Sequence, residues 1–229
     1  MARAFIFLTA DPADDGLARL IEKAQAESVR LQAECDDIAV RFYVQLENDF
    51  LANAAEDMRP AAATIELEIP LGRSLHSATP TLAGLAARLA DTFDPMTTFA
   101  LAGHHRVVID GPRQATCYRY LMRRRPDFLA ADYLDYYANH HFQFALQTGG
   151  ISRYAQFYVD HEASRQLSEA TGLRYREFDS ISELHIPSLE QFLQAAMASE
   201  NAMAAKADEL EFVDVARSQM FTSLLHTRP

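Results

Sequence analysis

Cysteine is scarce: Cys35 and Cys117 are the only two, far apart in a chain of 229 residues. Without metal-ligand spacing they exclude a disulfide framework and a zinc ribbon, and they fit a reducing, cytoplasmic setting. Long hydrophobic runs are also missing. The longest near the N-terminus, Ala4 to Leu8, follows a single Arg. It is too short for a signal-peptide core and far below the ~20 residues of a membrane span, so a soluble, unprocessed chain is expected. Basic residues are outnumbered, 21 Lys and Arg against 32 Asp and Glu, for a net charge of −11. Such a surface repels a phosphate backbone, so no nucleic-acid partner is expected. No phosphate-cradling glycine pattern, nucleophile elbow or His-Glu zinc helix occurs, and no metal is expected. What remains is ordinary globular composition, 49% hydrophobic and 23% charged. At roughly 150 residues per domain, that is one large domain or two small ones.

The chain repeats itself. Arg41-Phe42-Tyr43-Val44-Gln45-Leu46-Glu47 recurs 115 positions on as Gln156-Phe157-Tyr158-Val159-Asp160-His161-Glu162. Glu66-Leu67-Glu68-Ile69-Pro70 recurs 117 positions on as Glu183-Leu184-His185-Ile186-Pro187. Two collinear matches point to a tandem duplication joined near Asp110-Gly111-Pro112, with units 1–110 and 115–229. In the first unit, periodicity predicts strand 3–9, helix 13–33, strands 37–46 and 62–69, helix 79–90 and strand 97–109. The second gives strand 116–123, helix 127–147, strands 151–159 and 178–186, helix 188–200 and a strand around 218–226. Each order is βαββαβ, the ferredoxin-like split motif. A sheet covered by helices on one face leaves the other face to bury. The expected fold is therefore α+β, two tandem ferredoxin-like repeats closing an intramolecular α/β barrel. Closure within one chain still leaves a homodimer through outer strands or helices open.

The helix over 127–147 carries the most informative pattern. At about 100° per residue, Tyr133, Leu134, Tyr137, His141, Phe144 and Ala145 share one face. A histidine in mid-stripe is either a satisfied core residue or a general acid or base with a pKa near neutrality. Tyr133 and Tyr137 are either packing or hydrogen-bond donors to a substrate oxygen. On the strand 151–159, Tyr154, Gln156 and Tyr158 share a face that either lines a pocket or meets the other repeat. Tyr118 and Tyr120 pose the same question one strand earlier. Of the neighbours His104 and His105, at most one points into any given pocket. Arg123 to Arg125 read as a solvated edge or as a lure for a carboxylate or phosphate.

Arg123-Arg124-Arg125-Pro126, Tyr133, the pair Tyr136-Tyr137 and His141, four residues after the second tyrosine, together resemble the EthD family of the dimeric α/β-barrel superfamily. Gly150, Tyr154 and Gln156 extend the likeness, as do Asp208, Phe212 and Asp214, so that it spans about 116–226. The resemblance implies a pocket between helix and sheet around His141, with Tyr154 and Gln156 facing it. Related proteins include fungal dehydratases of aromatic polyketide pathways and accessory proteins of xenobiotic degradation. The first repeat has no histidine between residues 11 and 34, and Ala26 or Glu27 stands where His141 aligns. One site is expected, in the second repeat. On this resemblance the expected function is a cofactor-independent lyase or isomerase acting on a hydrophobic aromatic or polycyclic carbonyl compound. His141, Tyr137 and Tyr154 would be catalytic, and Tyr133, Gln156, Phe144 and Tyr158 would bind substrate. The alternatives are haem held by an axial histidine, or an accessory binder that leaves its ligand unchanged.

Overall fold

The computed structural model describes residues 2–13, 15–53, 55 and 58–226. In the first repeat, β1 (Ala2–Leu8), α1 (Gly16–Glu34), β2 (Ala39–Gln45) and β3 (Ala63–Ile69) precede two short helices, α2 (Thr79–Leu82) and α3 (Leu85–Arg88), and then β4 (Phe99–Ile109). The second repeat runs β5 (Thr116–Met122), α4 (Ala130–Tyr136), a π-helical turn (Tyr137–His141) and α5 (Phe142–Gln147). It continues through β6 (Arg153–Val159), α6 (His161–Thr171), β7 (Ser180–Ile186), α7 (Leu189–Met197), α8 (Glu200–Phe212) and β8 (Gln219–Leu225). Among the described residues no helix is long and apolar enough to cross a membrane.

Both repeats have the same strand order, β4-β1-β3-β2 and β8-β5-β7-β6, and antiparallel seams β2–β8 and β4–β6 close the eight strands into one barrel. This is the intramolecular α/β barrel that the duplication predicts. At the β4–β6 seam a Cβ on Gly103 would lie 2.0 Å from the Tyr158 carbonyl, so only glycine lets the two strands approach.

Alternation sorts each strand between two cores. On β1, Ala4, Ile6 and Leu8 pack outward with Leu20, Ala24 and Leu31 of α1, while Phe5 and Phe7 point into the barrel. There they meet Phe99, Phe157, Phe178 and Phe221 in an aromatic half-core. The other end of the interior is ionic and rests on the repeated motif. Glu183 accepts from Arg3 at 2.8 Å and from Arg119 at 3.2 Å, with Glu66 beside both arginines and all four side chains buried. The Arg119 guanidinium also lies 4.2 Å from the centre of the Tyr43 ring.

Three local expectations change. The helix expected over 79–90 is cut in two, because Gly84 takes a left-handed φ of +72° between α2 and α3. The connection after β6 holds α6, where no helix is expected. It is capped by Asp160, whose side chain accepts from Ala163 N, and is fastened to β4 by two hydrogen bonds between Ser164 and Ala102. The helix expected over 188–200 is a pair, α7 and α8, broken at Ser199, and this pair roofs part of the second sheet.

Candidate functional site

The outer faces of the two half-sheets differ in kind. Strand register matches Ala4, Ile6, Val40 and Ile65 of the first repeat to Tyr118, Tyr120, Tyr154 and Ser182 of the second, one residue out of step with the Arg41–Glu47 recurrence, so that Phe42 faces outward and Phe157 inward. The first face packs against α1, where Glu27 is bound by Arg30 at 2.7 Å and Arg88 at 2.8 Å. The second face floors a cavity of about 360 Å3 roofed by the π turn, α5, α7 and α8. Its wall is largely apolar, through Phe144, Leu184, Phe192 and Leu193, with a few convergent polar groups.

Tyrosines hang the roof helix on β7. The Tyr133 hydroxyl lies 2.7 Å from Ser180 Oγ, and the Tyr137 hydroxyl donates to the Ile181 carbonyl at 3.0 Å and meets Ser182 Oγ at 3.0 Å. The wide π turn that follows stacks His141 on Tyr137, ring centres 6.3 Å apart, where the roof faces the cavity. Gln156 donates to the Tyr137 carbonyl at 2.6 Å and accepts from the Tyr158 hydroxyl at 2.8 Å, fixing the start of that turn.

His141 Nδ1 lies 2.8 Å from Asp208 Oδ2, and the other Asp208 oxygen accepts from the Tyr136 hydroxyl. A carboxylate partner puts the proton of the neutral ring on Nδ1 and leaves Nε2 as an acceptor. Burial lowers the His141 pKa, and the Asp208 contact partly restores it. Phe212 holds the ring from the side, 5.1 Å away. Beyond Nε2, at 3.9 Å, stands Glu209 Oε1. Burial, with the neighbouring Asp208 charge, pushes the Glu209 carboxyl up to about 7 against the opposing pull of Lys206.

The floor supplies phenols. Burial keeps Tyr118, Tyr120 and Tyr154 protonated by raising their pKa values. Among the described residues the Tyr118 hydroxyl has only Met220 Sδ, at 3.5 Å, and the Tyr154 hydroxyl is 3.4 Å from Ser182 Oγ. The buried Tyr120 hydroxyl lies near Ser218 without a well-formed hydrogen bond among the described residues, the Ser218 hydroxyl being engaged by Asp214 O and Arg123 N.

Of the residues selected from the sequence, His141, Phe144 and Tyr154 line the cavity together. Tyr133, Tyr137, Gln156 and Tyr158 do not; their polar atoms are spent on Ser180, Ile181 and one another. Tyr118 and Tyr120 do line it. His104 stacks on Tyr158 at 5.1 Å, while its neighbour His105 is half-buried beside Arg3, with its pKa lowered to about 4 first by burial and then by that arginine. Arg124 pairs with Asp179 and Arg125 with Asp127. Glu209 escapes a reading of the sequence, because α8 has no marked apolar face to show which side is covered.

Residues 125–216 match the family model of the EthD domain. No curated protein matches the chain significantly. Among solved structures, an anthrone oxidase-like protein superposes with a TM-score of 0.64 at 13% identity, covering 99% of this chain and 91% of its own. A mutant chlorite dismutase of Candidatus Nitrospira defluvii gives 0.57 at 12% identity, covering 99% and 91%. A protein of Fusobacterium nucleatum described as a candidate monooxygenase gives 0.56 at 8% identity, covering 99% and 92%. At such identities the likeness establishes the fold. The stretch that matches the EthD domain model, residues 125–216, thus lies within a closed eight-stranded barrel whose fold is that of these neighbours.

Proposed function

We propose that the cavity binds a flat, hydrophobic carbonyl compound and that His141 removes a proton from it, making the protein a cofactor-independent lyase or isomerase. One observation carries the reading: Asp208 holds the Nδ1 side of His141, so that Nε2 is bare at the wall of a largely apolar cavity. A neutral imidazole in that position is a general base, and such a base contributes roughly 10²–10⁴ in rate. Proton loss beside a carbonyl drives charge onto the oxygen. Tyr118, a floor phenol whose hydroxyl meets the weak acceptor Met220 Sδ, is the group to receive it, with Tyr154 alongside. Tyr133, Tyr137, Gln156 and Tyr158 serve by positioning, since they fix the helix that carries His141.

Haem fits this wall poorly. A histidine backed by a carboxylate suits an axial ligand. However, the Glu209 carboxyl stands 3.9 Å beyond Nε2, in the space of an iron-bound macrocycle. Lys206 is the single Lys or Arg among the lining residues to meet two propionates.

The test is turnover of aryl β-hydroxy ketones such as 3-hydroxy-1-tetralone, followed by product absorbance or fluorescence. Wild-type protein should accelerate conversion and His141→Ala should not. Equal rates from both proteins would refute the proposal, and a ligand bound but recovered unchanged would favour the accessory-binder alternative.

A further inference from the structure

Glu209 is the carboxyl in the cavity wall that the base leaves unused. It follows Asp208 on α8, lines the same wall as His141, and presents Oε1 3.9 Å from Nε2. We infer that Glu209 is the acid partner of His141, and that the two act on one face of the substrate to remove water from a β-hydroxy carbonyl compound by syn elimination. This inference rests on His141 as the base.

The argument is geometric. Tyr118, Tyr120 and Tyr154 floor the cavity from β5 and β6, while both His141 and Glu209 descend from the helical roof. A flat ring lying on the phenols shows one face to the roof. A hydrogen and a hydroxyl that are cis on adjacent carbons both point at the paired groups. If they were trans, one would point at the floor, where phenols and the Ser182 hydroxyl stand but, among the described residues, no carboxyl or imidazole.

His141 Nε2 takes the α-proton, and the C–H electron pair becomes the new C=C bond. The bond from the β-carbon to oxygen breaks, its pair stays on oxygen, and that oxygen takes the Glu209 proton and leaves as water. The site is left with an imidazolium and a carboxylate 3.9 Å apart. Return of the proton from Nε2 to Oε1 restores both groups without oxidant, reductant or cofactor.

The acid must hold its proton at neutral pH. Asp208 and Lys206 face Glu209 from α8, His141 from the π turn, and Tyr118 and Tyr120 from β5. Burial and the Asp208 charge outweigh Lys206 and place the carboxyl at about 7.

The probe is 3-hydroxy-1-tetralone, which gives 1-naphthol when a base takes an α-proton and an acid carries off the β-hydroxyl as water. Rates are read as 1-naphthol formed, from about pH 5 to about pH 9. Wild-type protein should give a bell, with His141 setting the rising limb and Glu209 the falling one. Glu209→Gln should lose the falling limb and drop the peak about tenfold or more, and Glu209→Asp should keep a falling limb. If the Glu209→Gln profile superimposes on wild type while His141→Ala abolishes turnover, the acid role falls and the base stands. If His141→Ala keeps the rate, or wild type gives none above buffer, both fall. Stereochemistry decides the shared face: 3-hydroxy-1-tetralone with deuterium cis to the hydroxyl at the α-carbon should give 1-naphthol free of deuterium. Retained deuterium, or no turnover of any β-hydroxy ketone, would overturn syn elimination.

Discussion

Glu209→Gln tests the electrostatics of the cavity without any substrate. The amide matches the protonated carboxyl in shape but never ionises. In the unfolded chain the carboxyl titrates near its ordinary 4.5, and in the fold near 7. Between those values the native state binds the extra proton, so wild-type stability falls as pH rises, and the loss is complete above the folded value. From 4.5 to about 7, at about 1.4 kcal/mol per pH unit, the loss reaches about 3 kcal/mol. With a quarter of its side chain still exposed, the lower part of that range is the better expectation. For a chain of this size, 2–3 kcal/mol corresponds to roughly 4–12 °C in Tm. Thermal melts of wild type and Glu209→Gln should nearly coincide at about pH 4.5, with the variant pulling ahead by that margin at about pH 8.5. A difference that does not change with pH would refute the placement of Glu209 in a desolvating wall.

Tyr120→Phe should leave stability unchanged or raise it by up to about 1 kcal/mol in urea denaturation, because the hydroxyl it removes is buried without a well-formed hydrogen bond among the described residues. Tyr118→Phe should lose about tenfold or more in turnover through the missing oxyanion donor. Asp208→Asn removes the charge that props up the His141 pKa, so the rising limb of the pH–rate profile should move to lower pH while the plateau drops about tenfold or more. Glu183→Gln should cost about 3–5 kcal/mol in urea unfolding, since it leaves buried Arg3 and Arg119 short of a counter-charge.

The fold was legible because duplication wrote it twice. The Glu66 and Glu183 motifs lie on β3 and β7, the third strand of each half, and their carboxylates meet inside the barrel. Helix α6 was not legible, because its buried positions include Ser164, Ser168 and Thr171, which leave little hydrophobic stripe to read. The break at Gly84 depends on a backbone angle that an Ala/Leu pattern does not reveal. At the site, helical spacing put His141 on a buried stripe and the strand period put Tyr154 on one face with Gln156 and Tyr158, while it was the family resemblance that directed Tyr154 to the pocket. The same spacing put Tyr137 on the chosen face, but not that its hydroxyl would be spent on the Ile181 carbonyl. Asp208 and Glu209 reach His141 across 67 and 68 positions of chain, a pairing set by how α8 folds back over the sheet.

The most direct test of the central claim is the protonation state of His141, read from imidazole ¹⁵N shifts and couplings in labelled protein at neutral pH. The account predicts a neutral ring with its proton on Nδ1, a bare Nε2 and a titration midpoint below 6.5. A proton resting on Nε2, or an imidazolium persisting through neutral pH, would contradict it.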